Sequence, residues 1–263
     1  NRHLSPLTGG WYLGLGLPEL ISSALRYRLK RRRTGYLAFS VRCRFAPAWS
    51  ISAQQRATRR RDWCRSSLRL TIPPFWSSPI LRFWVNDELV TRVSVATTIG
   101  AINTYTDNSE GTADATPASP LVITGTGTDA GIADKSVTLG TGASGLQHAL
   151  RITITHGPVS LRVGSSQGAD DYVTETSLGT GTHSITLTPT GTFHVRFFSR
   201  KAYTVTISAC SIEAAGVVEL PTPYTAAYLS HIRTDFTGDV IFVAVQEFQQ
   251  RLIERRANNS WSI

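Results

Sequence analysis

Apolar residues fall on every second position through five stretches between residues 150 and 207. Leu150, Ile152 and Ile154 alternate with Arg151, Thr153 and Thr155. Val159, Leu161 and Val163 repeat the pattern around Arg162, and Ile185 and Leu187 continue it. Phe193, Val195 and Phe197 come next, then Tyr203, Val205 and Ile207. A helix scatters residues two apart over different faces, whereas a strand lines them up on one. Each stretch is therefore expected to be a strand with one buried and one wet face, and His194, between Phe193 and Val195, is expected to point outward. Threonine dominates the wet positions, as β-branching suits a pleated surface. Turn formers separate the stretches: His156-Gly157-Pro158, Gly179-Thr180-Gly181, Thr190-Gly191 and Ser199-Arg200-Lys201. Shorter apolar pieces at 121–123 and 137–139 lie in Thr/Gly/Ala-rich sequence upstream. About seven or eight strands at this spacing predict an antiparallel β-sandwich of jelly-roll type over residues 100–215, within a mainly β chain.

The formal net charge of +9 is a sum of opposites. Residues 1–82 hold 16 Lys/Arg and only two acids, Glu19 and Asp62; the remainder holds 11 Lys/Arg and 16 acids. In residues 1–80 arginines cluster at 31–33 and 59–61 beside Trp, Ser, Pro and Cys, and no sustained period marks helix or strand. A helix over 20–30 is the one local element expected, and the rest of this third reads as irregular. Three readings stay open: a basic arm touching nucleic acid, a solvated tail, or a segment translated out of frame from G+C-rich DNA. The last accounts for a lone lysine, Lys30, among so many arginines.

Cys43, Cys64 and Cys210 form neither a zinc pattern nor an even disulfide set, and free thiols are expected. The apolar run at 11–25 is broken by Pro18 and Glu19 and is too short for a bilayer, so no membrane segment is expected. No Met opens the chain, which predicts a fragment of a longer protein.

Chemistry-bearing motifs are sparse. Gly140, Gly142 and Gly145 spell GxGxxG, but the next residues run into a β pattern, so a sandwich loop is expected and not a coenzyme site. Asp170, Asp171 and Tyr172, with Glu175 nearby, follow a Gly/Ser-rich loop. They are candidate ligand residues for calcium or for a surface glycan whose ring Tyr172 would stack on; a solvated turn is the competing reading. The six histidines are dispersed, and no nucleophile with a base partner is legible, so no catalytic residue or cofactor is assigned. Asn258-Asn259-Ser260 spells a glycosylation acceptor.

The most specific text lies at 216–263. It reads Val218-Glu219-Leu220-Pro221-Thr222-Pro223-Tyr224, then Phe236-Thr237-Gly238-Asp239-Val240-Ile241-Phe242, Arg251-Leu252-Ile253-Glu254-Arg255 and Ser260-Trp261. Pro221 and Pro223 stiffen an extended lead-in, and Thr225 would cap a short helix over 226–232. Gly238-Asp239 turns into a buried strand over 240–245, and 249–255 is a second strand with Leu252 inward. Near the break in charge, Phe83-Trp84-Val85-Asn86-Asp87-Glu88-Leu89-Val90 reads as strand, turn, strand.

These motifs resemble a family of tailed-bacteriophage virion proteins, similar to the tail tubular or nozzle components of short-tailed phages. Residues 81–99 and 214–263 carry the likeness; Leu4-Ser5-Pro6-Leu7 resembles the family's opening, 8–80 do not match, and 100–213 fall where the family varies. Phe236 and Thr237 depart from the family's Gln-Ser or Gln-Ala. The resemblance implies a non-enzymatic structural protein of the virion, assembled in the bacterial cytoplasm with other tail subunits into a homo-oligomeric ring. It implies a body built from 81–99 and 216–263, with Pro221, Pro223, Tyr224, Asp239, Arg255 and Trp261 as its motif residues and the sandwich as an insert. Self-association is expected through Phe83, Trp84, Phe242 and Trp261. A carbohydrate-binding adhesion module is the alternative, and nucleic-acid contact through the basic segment a second one.

Overall fold

The computed structural model describes residues 30–31, 37–42, 66–72, 80–85, 88–92, 104–224, 228, 231–257 and 259–263. Residues 20–29 of the helix expected over 20–30, and most of that expected over 226–232, lie outside them; Lys30, the expected end of the first helix, is in a strand instead. Its regular elements are strands, in three groups. The first holds Lys30–Arg31 (β1), Leu37–Arg42 (β2), Ser66–Ile72 (β3), Ile80–Val85 (β4), Glu88–Leu89 (β5) and Thr91–Arg92 (β6). The second holds Thr106–Asp107 (β7), Asp114–Thr116 (β8), Leu121–Thr124 (β9), Gly131–Val137 (β10), His148–His156 (β11), Val159–Gly164 (β12), Val173–Leu178 (β13), Gly181–Leu187 (β14), Phe193–Ser199 (β15) and Thr204–Ile212 (β16). The third holds Gly216–Val217 (β17), Glu219–Pro221 (β18), Arg233–Thr237 (β19), Val240–Ala244 (β20), Arg251–Ala257 (β21) and Ser260–Ser262 (β22).

The second group pairs as a nest. β12 pairs with β13, β11 with β14, β10 with β15 and β9 with β16, all antiparallel. Four strands stand in the order β9-β16-β11-β14 and four in the order β10-β15-β12-β13. A four-deep antiparallel nest folded into two sheets is a jelly roll. β8 and β7 extend one edge of each sheet. The core sits between the inner faces: Leu150, Ile152, Ile154, Ile185, Val205 and Ile207 from one, Leu161, Val163, Phe193, Val195 and Phe197 from the other. Burying each such side chain contributes about 1.5–3 kcal/mol. The alternation read from the sequence is thus the core, with one correction. Tyr203 lies before β16 and is 42% exposed, and Val205, Ile207 and Cys210 are that strand's inward residues. The GxGxxG segment is a loop between β10 and β11, with Gly142 and Gly145 at positive φ.

The flanking groups build a second core. Phe83 and Val90 pack with Val218, Leu220, Tyr224, Ile241, Val243, Ile253, Trp261 and Ile263. The rings of Phe83 and Trp261 stack at 4.4 Å. Val85 pairs with Glu88, which closes the β4–β5 hairpin over two residues as expected. β1 to β4 form a meander that continues into β18, so the described residues among the first eighty belong to a sheet of this body. Three expectations are corrected. In β20, Ile241 and Val243 are buried while Phe242 is half-buried, so one face is covered, not both. In β21, Ile253 points inward and Leu252 is 43% exposed, because Ile253 stands opposite the inward Ile241 in the ladder. Phe83 and Trp261 are interior and unavailable as an assembly surface; the Trp84 side chain lies outside what is described.

The two cores share a sheet. β14 pairs with β11 on one edge and with β22 on the other, giving the nine-strand order β19-β20-β21-β22-β14-β11-β16-β9-β8. Trp261→Ala removes the stacking partner of Phe83 and leaves a cavity. It is expected to lower stability by about 3–5 kcal/mol in chemical denaturation, whereas Leu252→Ala on the neighbouring strand changes it by less than about 0.5 kcal/mol.

Candidate functional site

The loop after β12 holds Asp170, Asp171 and Tyr172, β13 holds Glu175, and the structure ties each of these ligand candidates locally. Asp171 Oδ1 accepts the Ser165 N–H at 2.8 Å, and this bond holds its carboxyl below the usual range. Asp170 Oδ2 accepts the Glu175 N–H at 3.2 Å. Glu175 is ion-paired with Arg162. The Tyr172 ring is half-buried against the jelly-roll core, with its hydroxyl 3.1 Å from Thr190 Oγ1. Each of the four is thus engaged with a neighbouring residue. Among the described residues no group of three or more His, Cys, Asp or Glu side chains is placed to hold a metal ion.

The loop instead docks on a polar network missed by the sequence reading. Asp134 is buried on the outer face of β10 and takes both Arg196 Nε and Nη2 at 2.7 Å. Asn108 Nδ2 donates to it at 2.8 Å and Gln167 Nε2, from the loop, at 2.9 Å. Burial alone would raise the Asp134 pKa; these bonds outweigh burial and hold it below the ordinary value. Arg196 stands between Asp134 and Arg162 in the ladder. Beside this row, Phe198 lies under the guanidiniums of Arg162 and Arg200, 5.2 and 5.9 Å from its centroid. The available signal was an acid and an arginine in the outward phase of two strands; what the sequence lacked was that these strands are neighbours.

A second cluster fixes the body to the jelly roll. Arg92, with a side chain only 3% exposed, donates from Nε to Glu213 Oε2 at 2.9 Å. Its Nη2 reaches Ser184 Oγ at 2.8 Å and the carbonyl of Asn259. Arg151 donates to the other Glu213 oxygen at 2.6 Å and to the carbonyl of Glu219 at 2.6 Å. Burial would raise the Glu213 pKa, but the two guanidiniums and Ser184 bring it below normal. Four segments distant in sequence thus meet on one carboxylate.

The motif residues of the C-terminal segment lie in the body. Pro221 ends β18 opposite Ile80, Pro223 is half-buried, and Tyr224 is in the body core, edge-on to Phe248 at 5.4 Å. Asp239 Oδ1 accepts Arg255 Nε and Nη2 at 2.9 and 2.6 Å, which clamps the β19–β20 turn onto β21. Asn258, the spelled glycosylation acceptor, lies outside the described residues. Cys210 is buried in the jelly-roll core beside Tyr105, and burial pushes its thiol up to about 12. Among the described residues no helix is long and apolar enough to cross a membrane.

No protein-family model, curated protein or solved structure matches this chain. The fold and these clusters define it as an all-β protein of β-sandwich type carried on a second β-rich unit.

Glu213→Ala strands Arg92 as a buried unpaired cation and is expected to cost about 3–5 kcal/mol in urea denaturation. A neutral, buried Cys210 thiol is a poor nucleophile. The peptide carrying Cys210 should stay unmodified by iodoacetamide in the native chain and be fully alkylated in guanidinium, as read by mass spectrometry.

Proposed function

We propose that the chain is a non-enzymatic structural component of a phage or prophage tail, in which a body made of the flanking segments displays the jelly roll. The observation that carries this reading is the split core. Phe83 and Val90 lie on one side of the jelly roll in sequence, Val218 to Ile263 on the other, and they pack together as one cluster. That is the arrangement expected of a body interrupted by an insert, and the motifs that resemble virion tail proteins fall on the body's strands and turns. The body is to be a tail building block that associates with other tail subunits and with copies of itself. Because Phe83 and Trp261 are used internally, that association has to run through other surface. The reading predicts that the full chain forms a closed homo-oligomeric ring, with a mass by light scattering that is an integral multiple of 28.7 kDa and a ring outline in electron microscopy. A strictly monomeric chain at tens of micromolar, absent from purified particles by mass spectrometry, would sink it.

A second reading, a carbohydrate-binding adhesion module, draws on the polar outer face of β10, β15 and β12. Asp134, Asn108, Gln167 and Arg196 supply the donors and acceptors that sugar hydroxyls use. Its weak point is aromatic surface: Tyr105, Phe193 and Phe197 are buried, and among the described residues Tyr203 is the exposed ring of the large apolar side chains. Glycan-array binding by the full chain that is lost in Arg196→Ala would favour it. Nucleic-acid contact through the basic first third concerns residues mostly outside those described, and steeply salt-dependent DNA binding would favour it.

A further inference from the structure

His183 sits buried in β14 with both ring nitrogens engaged. Nε2 is 2.9 Å from the Gly179 carbonyl and Nδ1 is 2.8 Å from Ser262 Oγ. A carbonyl only accepts, so Nε2 carries the ring's proton and Nδ1 receives the Ser262 hydroxyl hydrogen. Arg256 Nε donates to the same Ser262 oxygen at 2.8 Å. The rest of that guanidinium reaches Thr176 Oγ1 at 3.1 Å, the Ser177 carbonyl at 3.3 Å and Glu254 Oε2 at 2.6 Å. A directed chain therefore runs from Arg256 through Ser262 and His183 to Gly179.

That chain crosses the β14–β22 ladder. His183 faces Ser262 and Ser184 faces Trp261, while Thr182 and Ile263 exchange both backbone bonds at 2.7 and 2.9 Å. Among the described residues this is the one strand pairing between the jelly roll and the body. The neighbours of the ring are unsuited to a cation. β11 places Ile152 opposite it, β13 brings the neutral Thr176 and Ser177 to the same guanidinium, and Arg256 is the charged group acting on it from β21. Glu254 engages Arg256 and makes no hydrogen bond to the ring. A second proton would turn Nδ1 into a donor aimed at an oxygen that already accepts from Arg256, with two cations flanking one buried hydroxyl.

We propose that the β14–β22 seam is an acid-sensitive latch: protonation of His183 releases β22, and the body strands behind it, from a jelly roll that stays folded on its own core. Burial, with Arg256 adding to it, lowers the His183 pKa from 6.5 to about 4, against the bond to Gly179. The sign follows from linkage. The closed seam binds this proton less well than the open one, so closure is undiminished above the open-state value and weakens as pH falls from 6.5 toward 4. Each pH unit inside that window shifts the opening equilibrium about tenfold. Asp134 and Glu213 are held below their ordinary values of 3.8 and 4.5, so what they lose on acidification falls at the bottom of this window or beneath it.

The test is amide hydrogen exchange on the full chain at pH 7 and pH 4.5, corrected for intrinsic rates. Opening of residues 260–263 should rise on the order of a hundredfold while β12 and β15 are unchanged. A uniform rise across both cores, or none at the seam, overturns the proposal. His183→Asn, neutral throughout, should abolish the rise; its persistence overturns the proposal too. If that variant does not fold, imidazole titration of the native chain by NMR decides: one ring should stay neutral down to about pH 4, and six rings titrating near 6.5 would end the idea.

Discussion

Gly181–Leu187 is paired along both edges, and the architecture depends on that. Toward β11 it completes a jelly-roll sheet; toward β22 it accepts a strand of the body. A jelly roll leaves edges at the ends of its sheets, and an open edge recruits other strands. Here one such edge is occupied from within the chain. The inward residues of β14, Ile185 and Leu187, belong to the jelly-roll core, while Ser262 and Trp261 opposite the same strand lead into the body. A single strand thus carries two packing obligations, and its His183-Ser184-Ile185 run is buried throughout.

Charge reinforces this joint. Arg92, Arg151 and Arg256 each leave their own strand to bond groups on another segment, and Glu213 binds the first two. Arginine suits the task because its fork reaches two or three acceptors in fixed geometry. The cost of burying Arg92 is offset by charge-assisted bonds to Glu213, Ser184 and Asn259. The joint is therefore specified by polar geometry and not by apolar area alone.

Much of the jelly roll was legible because period-2 alternation states both the element and its buried face. Leu150, Ile152 and Ile154, or Phe193, Val195 and Phe197, leave little freedom. Strands without that pattern were missed. Val173–Leu178 reads Val-Thr-Glu-Thr-Ser-Leu, and Arg233–Thr237 is polar apart from Phe236; both are defined by the partner they pair with. Leu37, Phe39 and Val41, and Leu68, Leu70 and Ile72, alternate over runs of the same length, but the arginine-rich sequence around them carries no regular series of turn formers to set them off as strands. Leu252 was misplaced because Leu252 and Ile253 are adjacent and both apolar, so parity alone cannot choose between them. The ligand candidates Asp170, Asp171 and Tyr172 were found as a loop with Glu175 nearby, but their bonds to Ser165, Arg162 and Thr190 depend on how the loop folds back and on β13 pairing with β12. The Asp134–Arg196 and Arg92–Glu213 pairs link residues 62 and 121 apart and have no local signature.

The split core also has a consequence for the order of events during synthesis. Phe83 is made early, yet its stacking partner Trp261 leaves the ribosome only after the whole jelly roll has been translated. The nested strands in between are self-sufficient, with every inward residue from Leu121 to Ile207 supplied before the body can close. Phe83 and Val90 must therefore wait without the residues that later cover them. Chaperone demand for such a chain would concentrate in that interval, and the emergence of Trp261 would end it.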